Sequence, residues 1–276
     1  MAKGFTLKLK PYISKKIWGW EKWVLSCHED GRTTIEEGIY GGQELSSVLG
    51  CGSDFPILNK IIKAEATLSV QVHPNDDYAK KFENSNGKTE CWYILEAKEG
   101  AKLVLGIREK LNKEKLRQII KEGKLEEYLQ RINIKRGDFI YIPSGTVHAI
   151  EAGTKLIEVQ QNSNITYRIH DWGRGRELHI EKSLDVIDYE GNNEAGKIDK
   201  FHKLDTPYFK VEKIVVHNDY MDVVNEDFHS YIVIRGEGII KANNEVIHLK
   251  KEESVYISKG TEYTLEGNIE LLKSKV

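Results

Sequence analysis

Residues 137–148 read Gly-Asp-Phe-Ile-Tyr-Ile-Pro-Ser-Gly-Thr-Val-His. Asp138, Ile140 and Ile142 alternate with Phe139 and Tyr141, a period of two that marks a short strand packed on both faces. Pro143 and Gly145 then supply the residues of a tight turn. Strand and turn together aim His148 back toward whatever the strand encloses. Much of the remaining chain alternates in the same way, as in Phe5-Thr-Leu7-Lys-Leu9, residues 102–105 and residues 155–159. With turn residues between these segments, a mainly β, barrel-like architecture is expected.

The pattern Gly-x5-Pro-x-Gly-x2-His resembles the second motif of the cupin barrels, whose histidine is a metal ligand. Companion ligands should therefore lie upstream. Gln71 and His73 are two apart in the apolar run 68–74, so on a strand both side chains leave one face. Glu90 opens a second β-type run, 90–95, in which Glu90, Trp92 and Ile94 share a face. Two imidazoles, a carboxylate and an amide oxygen converging from three strands would leave a position open for water or substrate, the usual form of a catalytic zinc site.

Composition narrows the alternatives. A chain of 276 residues is long enough for one large or two small domains, each with a core. Its net charge of -2 gives no reason to expect nucleic acid or an anionic membrane as partner. Cys27, Cys51 and Cys91 have unrelated spacings and are expected as free thiols in a reducing compartment. The N-terminus lacks the apolar run of a signal peptide, and no stretch approaches the ~20 apolar residues of a membrane span. A cytoplasmic protein is expected.

Between residues 109 and 130, Leu116-Ile119-Ile120 and Leu125-Tyr128-Leu129 follow i, i+3, i+4 spacing around Gly123. Two short amphipathic helices are expected there, inserted between the strand ending near Gly106 and the one starting near Gly137, as cover for a barrel end. Residues 188–200 are rich in Gly, Asn, Glu and Lys without periodicity and suit an interdomain connection. Beyond it the first motif has an echo: a shift of about 115 positions sets Glu252 on Gly137, Ser258 on Pro143, Gly260 on Gly145 and Tyr263 on His148. Tyr231 to Ile234 with Gly236-Glu237-Gly238 suggests an earlier strand and turn of that unit. The expected organisation is a metal-binding catalytic cupin domain over 1–200, with its helical insertion near 109–131, and a smaller degenerate cupin-like barrel without metal over 201–276. His217, His229 and His248 are expected as surface or core groups.

Five blocks, at residues 55–60, 68–76, 87–93, 137–150 and 158–174, occur in the order found in type I mannose-6-phosphate isomerases. The chain resembles the short, two-cupin bacterial form of that family over nearly its whole length. The resemblance implies interconversion of mannose 6-phosphate and fructose 6-phosphate, one zinc per chain held by His73, Glu90 and His148 with Gln71 as additional ligand, and a catalytic Arg168. It also makes Lys88 a substrate-facing lysine. Moving a proton between C1 and C2 develops negative charge on the sugar oxygens, which a Lewis-acid metal and the fixed fork of Arg168 would both stabilise. Lys88 and the Ser69 hydroxyl would serve the phosphate or the enediolate. Asn164 stands where many relatives have Asp, and an amide cannot shuttle a proton. A metal-bound water, Lys88 with a depressed pKa, and His170 are left as bases. Trp172, Trp18, Trp20 and Trp23 are expected to pack the barrel rather than stack on a sugar. Two rival readings share the ligands: a non-haem iron dioxygenase and a non-catalytic sugar-phosphate sensor. Gln71 and the cations Lys88 and Arg168 argue against the first, and retention of every site residue against the second. Monomer and homodimer stay equally open.

Overall fold

The computed structural model describes residues 4–191 and 194–276. In chain order the elements are β1 (Thr6–Lys10), β2 (Tyr12–Lys16), β3 (Gly19–Leu25), β4 (Thr34–Ile35), α1 (Leu45–Leu49), β5 (Ile57–Ala64), β6 (Val70–Val72), α2 (Asp76–Phe82), β7 (Glu90–Ala97) and β8 (Lys102–Ile107). Then come α3 (Lys113–Lys121), α4 (Leu125–Tyr128), β9 (Leu129–Asn133), β10 (Phe139–Ile142), β11 (His148–Ile150), β12 (Thr154–Gln161), β13 (Tyr167–His170) and α5 (Ile180–Val186). The remainder is all β: β14 (Gly196–Ile198), β15 (Lys203–Asp205), β16 (Lys210–Val216), β17 (Asp219–Val223), β18 (Phe228–Ala242), β19 (Glu245–Lys250), β20 (Ser254–Ser258) and β21 (Glu262–Lys275).

The chain forms two compact units. The first unit joins Met1–Ser14, Lys22–Ile61 and Lys200–Val276, and the second comprises Lys15–Glu21 and Ile62–Asp199. The expected division ran 1–200 and 201–276; here the chain passes from the second unit to the first at 199/200, and the N-terminal segments Met1–Ser14 and Lys22–Ile61 belong with residues 200–276. β1 is drawn into the first unit by antiparallel pairing with β20, Thr6 opposite Ile257 and Leu9 opposite Ser254.

In the second unit β14, β10, β7 and β12 lie side by side in one sheet, and a five-stranded sheet runs β13-β6-β11-β8-β9. Trp92, Ile94, Ile140 and Ile142 of the first sheet and Leu103, Leu105 and Ile150 of the second join one apolar cluster, so the two sheets face each other across it. The opposite face of the five-stranded sheet is also apolar. Val70, Val72, Val104, Val147, Ala149, Tyr167 and Ile169 pack there with Leu116 of α3, Leu125 of α4 and Leu184 of α5. The expected helices are therefore present, with α3 capped by the Asn112 side chain accepting from the Lys115 N–H, but they cover a sheet face rather than a barrel end. Leu129, which fits the helical spacing, instead begins β9, a strand on the edge of β8. The expected connection 188–200 also holds a strand, β14, paired with β10. Residues 192 and 193 lie outside the described residues.

The sheet of the first unit runs β15-β16-β21-β18-β20-β1-β4, with β17 on β21 and β19 on β18. The echo of the first motif is real at the level of backbone: β20, a turn through Gly260 and β21 repeat β10, a turn through Gly145 and β11. Even the left-handed φ of Gly137 (+89°) has its counterpart in Glu252 (+70°). Tyr263, on the position of His148, joins buried His229 (2.8 Å to Nδ1) and Tyr231 (2.5 Å between hydroxyls) and donates to Asp222 (3.2 Å), which also holds Lys273. The segment at Gly236-Glu237-Gly238 is not a turn. β18 runs through it unbroken, and Gly236 (φ +82°) is required because a Cβ there would lie 2.1 Å from the Asn268 carbonyl oxygen.

Candidate metal centre

Alternation places the site. Because Val70 and Val72 of β6, Val147 and Ala149 around β11, and Tyr167 and Ile169 of β13 all turn toward the helices, the intervening Gln71, His148 and Arg168 face the space between the sheets. His148 lies directly opposite Gln71, and Gln71 opposite Arg168 on its other side, so these three form a row across adjacent strands. Glu90 opens β7 in the facing sheet, on the side shared with Trp92 and Ile94.

His73, Glu90 and His148 are buried, and one ligand atom from each lies within 4.8 Å of the others. His73 Nε2 is 3.6 Å from Glu90 Oε2, and His148 Nε2 is 3.4 Å from Glu90 Oε1. Both rings are oriented from behind: His73 Nδ1 lies 2.8 Å from the Ile165 carbonyl oxygen and His148 Nδ1 2.9 Å from that of Thr146. A proton on each Nδ1 makes that contact a hydrogen bond and leaves Nε2 with its lone pair toward the centre, the arrangement a metal ligand needs. Burial pushes His148 down to about 4, outweighing the Thr146 contact, so the ring is neutral at neutral pH. The amide of Gln71 lies 3.2 Å from His148 Nε2 and accepts from the Ser69 hydroxyl at 3.4 Å. Turning that amide over exchanges its nitrogen and oxygen without changing its shape, which makes an oxygen available to a cation. This donor set fits a divalent metal cofactor.

Lys88 is buried with Nζ 3.0 Å from Glu90 Oε2 and 4.0 Å from Glu158 Oε1. Burial alone would lower its pKa, but Glu90 and Glu158 overcome that effect and raise it. The expected depressed lysine base is thus not what this environment produces. Glu158 in turn accepts from Trp92 Nε1 at 3.0 Å. Its part behind Lys88 was missed from sequence, although a carboxylate within the apolar run of β12 was a usable signal.

Against known families, residues 10–100 match the model of the phosphomannose isomerase type I catalytic domain and residues 197–276 that of the mannose-6-phosphate isomerase cupin domain. The chain is 35% identical to mannose-6-phosphate isomerase ManA of Bacillus subtilis over 97% of this chain and 98% of that protein. The chain belongs to the mannose-6-phosphate isomerase family. A mannose-6-phosphate isomerase of Streptococcus mutans is 33% identical over 97% of both chains. The crystal structure of the mannose 6-phosphate isomerase from Bacillus subtilis superposes with a TM-score of 0.88 at 31% identity, covering 98% of this chain and 99% of that one.

Within this mannose-6-phosphate isomerase fold, the sequence-derived residues fall into two groups. Ser69, Gln71, His73, Lys88, Glu90 and His148 are linked by direct contacts. Arg168 joins them through its strand register, while its Nη1 donates to the Glu177 carbonyl oxygen at 2.8 Å. Behind it Asp171, buried, accepts from Arg174 and Arg176 and is held down to about 2, their hydrogen bonds outweighing burial. His170 Nε2 lies 3.2 Å from Glu126 Oε1 of α4, so the helical insertion reaches the strand that carries Arg168. Trp18 and Trp23 are buried packing residues, and Trp172 donates Nε1 to the Leu68 carbonyl oxygen at 2.6 Å.

Proposed function

We propose that the chain interconverts mannose 6-phosphate and fructose 6-phosphate at a single zinc site formed by His73, Glu90, His148 and Gln71. The observation that carries this reading is the buried His73–Glu90–His148 cluster, its imidazoles oriented by the carbonyl oxygens of Ile165 and Thr146, in a chain of this family. Two imidazoles with one carboxylate and an amide oxygen favour zinc with an open position. When bound, the ion supplies Lewis-acid polarisation of the sugar's C1 and C2 oxygens.

The chain's own groups do the rest. Arg168, fixed beside Gln71 in the strand register, presents a permanently charged fork to the oxygens on which enediolate charge develops. Lys88, kept as an ammonium by Glu90 and Glu158, adds a second positive charge for the enediolate or for the phosphate, with the Ser69 hydroxyl nearby. We assign the chemistry to the unit of Lys15–Glu21 and Ile62–Asp199, which contains all of these residues. A cytoplasmic location suits a phosphosugar substrate.

The test is to strip the protein with a chelator, reload it with zinc and follow mannose 6-phosphate formed from fructose 6-phosphate in a coupled assay. Turnover that depends on zinc and is abolished in Glu90→Gln supports the assignment. A zinc-loaded protein that binds the sugar phosphate without turning it over would favour a sensor, and oxygen uptake with ferrous iron a dioxygenase; either result removes the isomerase reading.

A further inference from the structure

Cys27 and Cys51 meet in the first unit, remote in sequence from the metal ligands. Cys27 follows β3 and is buried; Cys51 follows α1 and is partly exposed. Their sulfurs are 2.7 Å apart, one thiol donating to the other. That separation is only about 0.7 Å longer than a disulfide bond. Nothing about it depends on two loops drifting together, because each cysteine is anchored. Ser26 Oγ donates to the Gly31 carbonyl oxygen at 2.6 Å and accepts from the His28 N–H at 3.1 Å, while Thr33 N–H returns to the Ser26 carbonyl oxygen at 3.1 Å. On the other side the Cys51 N–H donates to the Ser46 carbonyl oxygen at 3.0 Å and Gly52 N–H to Asp54 Oδ1 at 2.7 Å.

The two sulfurs are not equivalent. A thiolate at Cys51 accepts the S–H of Cys27, which lowers Cys51, and the same hydrogen bond together with burial raises Cys27. Access separates them as well: the partly exposed sulfur of Cys51 is the one an oxidant in solvent reaches, and the buried sulfur of Cys27 stands behind it. Cys91, buried on β7 beside Glu90, has its thiol pushed up by burial and provides an internal contrast.

We propose that Cys27 and Cys51 are a reversible dithiol–disulfide pair, a modification site oxidised by hydrogen peroxide. The Cys51 thiolate attacks one peroxide oxygen, the O–O bond breaks, and after protonation water leaves with the second oxygen, giving a sulfenic acid. The Cys27 sulfur then attacks the Cys51 sulfur and displaces the remaining oxygen, which departs as water with the Cys27 proton. One peroxide is reduced to two waters and two thiols become one disulfide. A thiol reductant reverses the change by exchange.

The test uses the full-length protein, treated with stoichiometric hydrogen peroxide, quenched with catalase, unfolded in N-ethylmaleimide and digested. The expected result is a peptide linking Cys27 to Cys51, an unlabelled mass lower by two hydrogen atoms, and alkylation of Cys91 alone. Dithiothreitol restores alkylation of all three cysteines. Cys91→Ser should give the same cross-link, and Cys27→Ser should leave a sulfenic acid at Cys51 that a dimedone probe traps. Alkylation of all three cysteines after peroxide, recovery of Cys51 as sulfinic acid with Cys27 alkylated, or a dimer linked through Cys51 would each overturn the proposal.

Discussion

At the scale of single residues, the site rests on groups whose charge state is fixed by their surroundings. Arg168 is placed by register opposite Gln71, and its value lies in a planar fork rather than in charge alone. Arg168→Lys keeps the charge and loses the fork, so kcat should fall roughly 100-fold with little change in KM, measured in the fructose 6-phosphate assay. Asp171 tests the support behind it. Because Arg174 and Arg176 hold this carboxyl at about 2, below its ordinary value, the folded protein binds fewer protons here than the unfolded chain. The stability it contributes, roughly 2 kcal/mol, is full above about pH 4 and is lost as pH falls through about 2. Urea unfolding across that range should show a smaller acid-dependent loss in Asp171→Asn than in the wild type, since Glu226 and other depressed carboxyls still titrate there, and the variant should also be less stable at neutral pH. The strand faces of the proposed ligands were legible in the sequence, since a period of two fixes the faces of Gln71 and His148, and His73 follows β6 by one residue. The protonation of Lys88 was not legible. It depends on Glu158 as well as on the neighbouring Glu90, and Glu158 is far along the chain and reaches Lys88 only through the pairing of β12 with β7.

At the scale of elements, length and polarity decided what could be read. The long buried runs of β7 and β12 and the amphipathic α3 were evident from spacing. β9 and β14 were not, because each is short and largely uncovered on one side, so apolar residues do not mark it. The glycines of β18 misled for a different reason: Gly236 signals a turn when read locally, but its purpose is contact with β21, a neighbour more than thirty residues on. Gly236→Ala would drive a methyl group into the Asn268 carbonyl at a backbone angle of +82°. A loss on the order of 3 kcal/mol is expected, read as a lower denaturation midpoint. An unchanged midpoint would mean that the two strands can part there without cost.

At the scale of the whole molecule, metal binding and chain path matter most. A divalent ion held at a thousand times its dissociation constant adds about 4 kcal/mol to the folded state, so chelation should lower the melting temperature by several degrees and zinc should restore it, as followed by calorimetry. No described helix is long and apolar enough to cross a membrane. The two-unit organisation was partly legible: the echo around Tyr263 pointed to a second β unit, but nothing local in Thr-Leu-Lys-Leu-Lys says that its partner is residues 254–258. That pairing has a price in time. A ribosome adding roughly 5–20 residues per second exposes Thr6–Lys10 tens of seconds before Ser254–Ser258 exists, with only Leu9 and Lys10 meeting β4 early. Through that interval one edge of β1 is an open invitation to strands of other nascent chains, and Lys8 and Lys10, alternating with the leucines, place positive charge along it to keep them away.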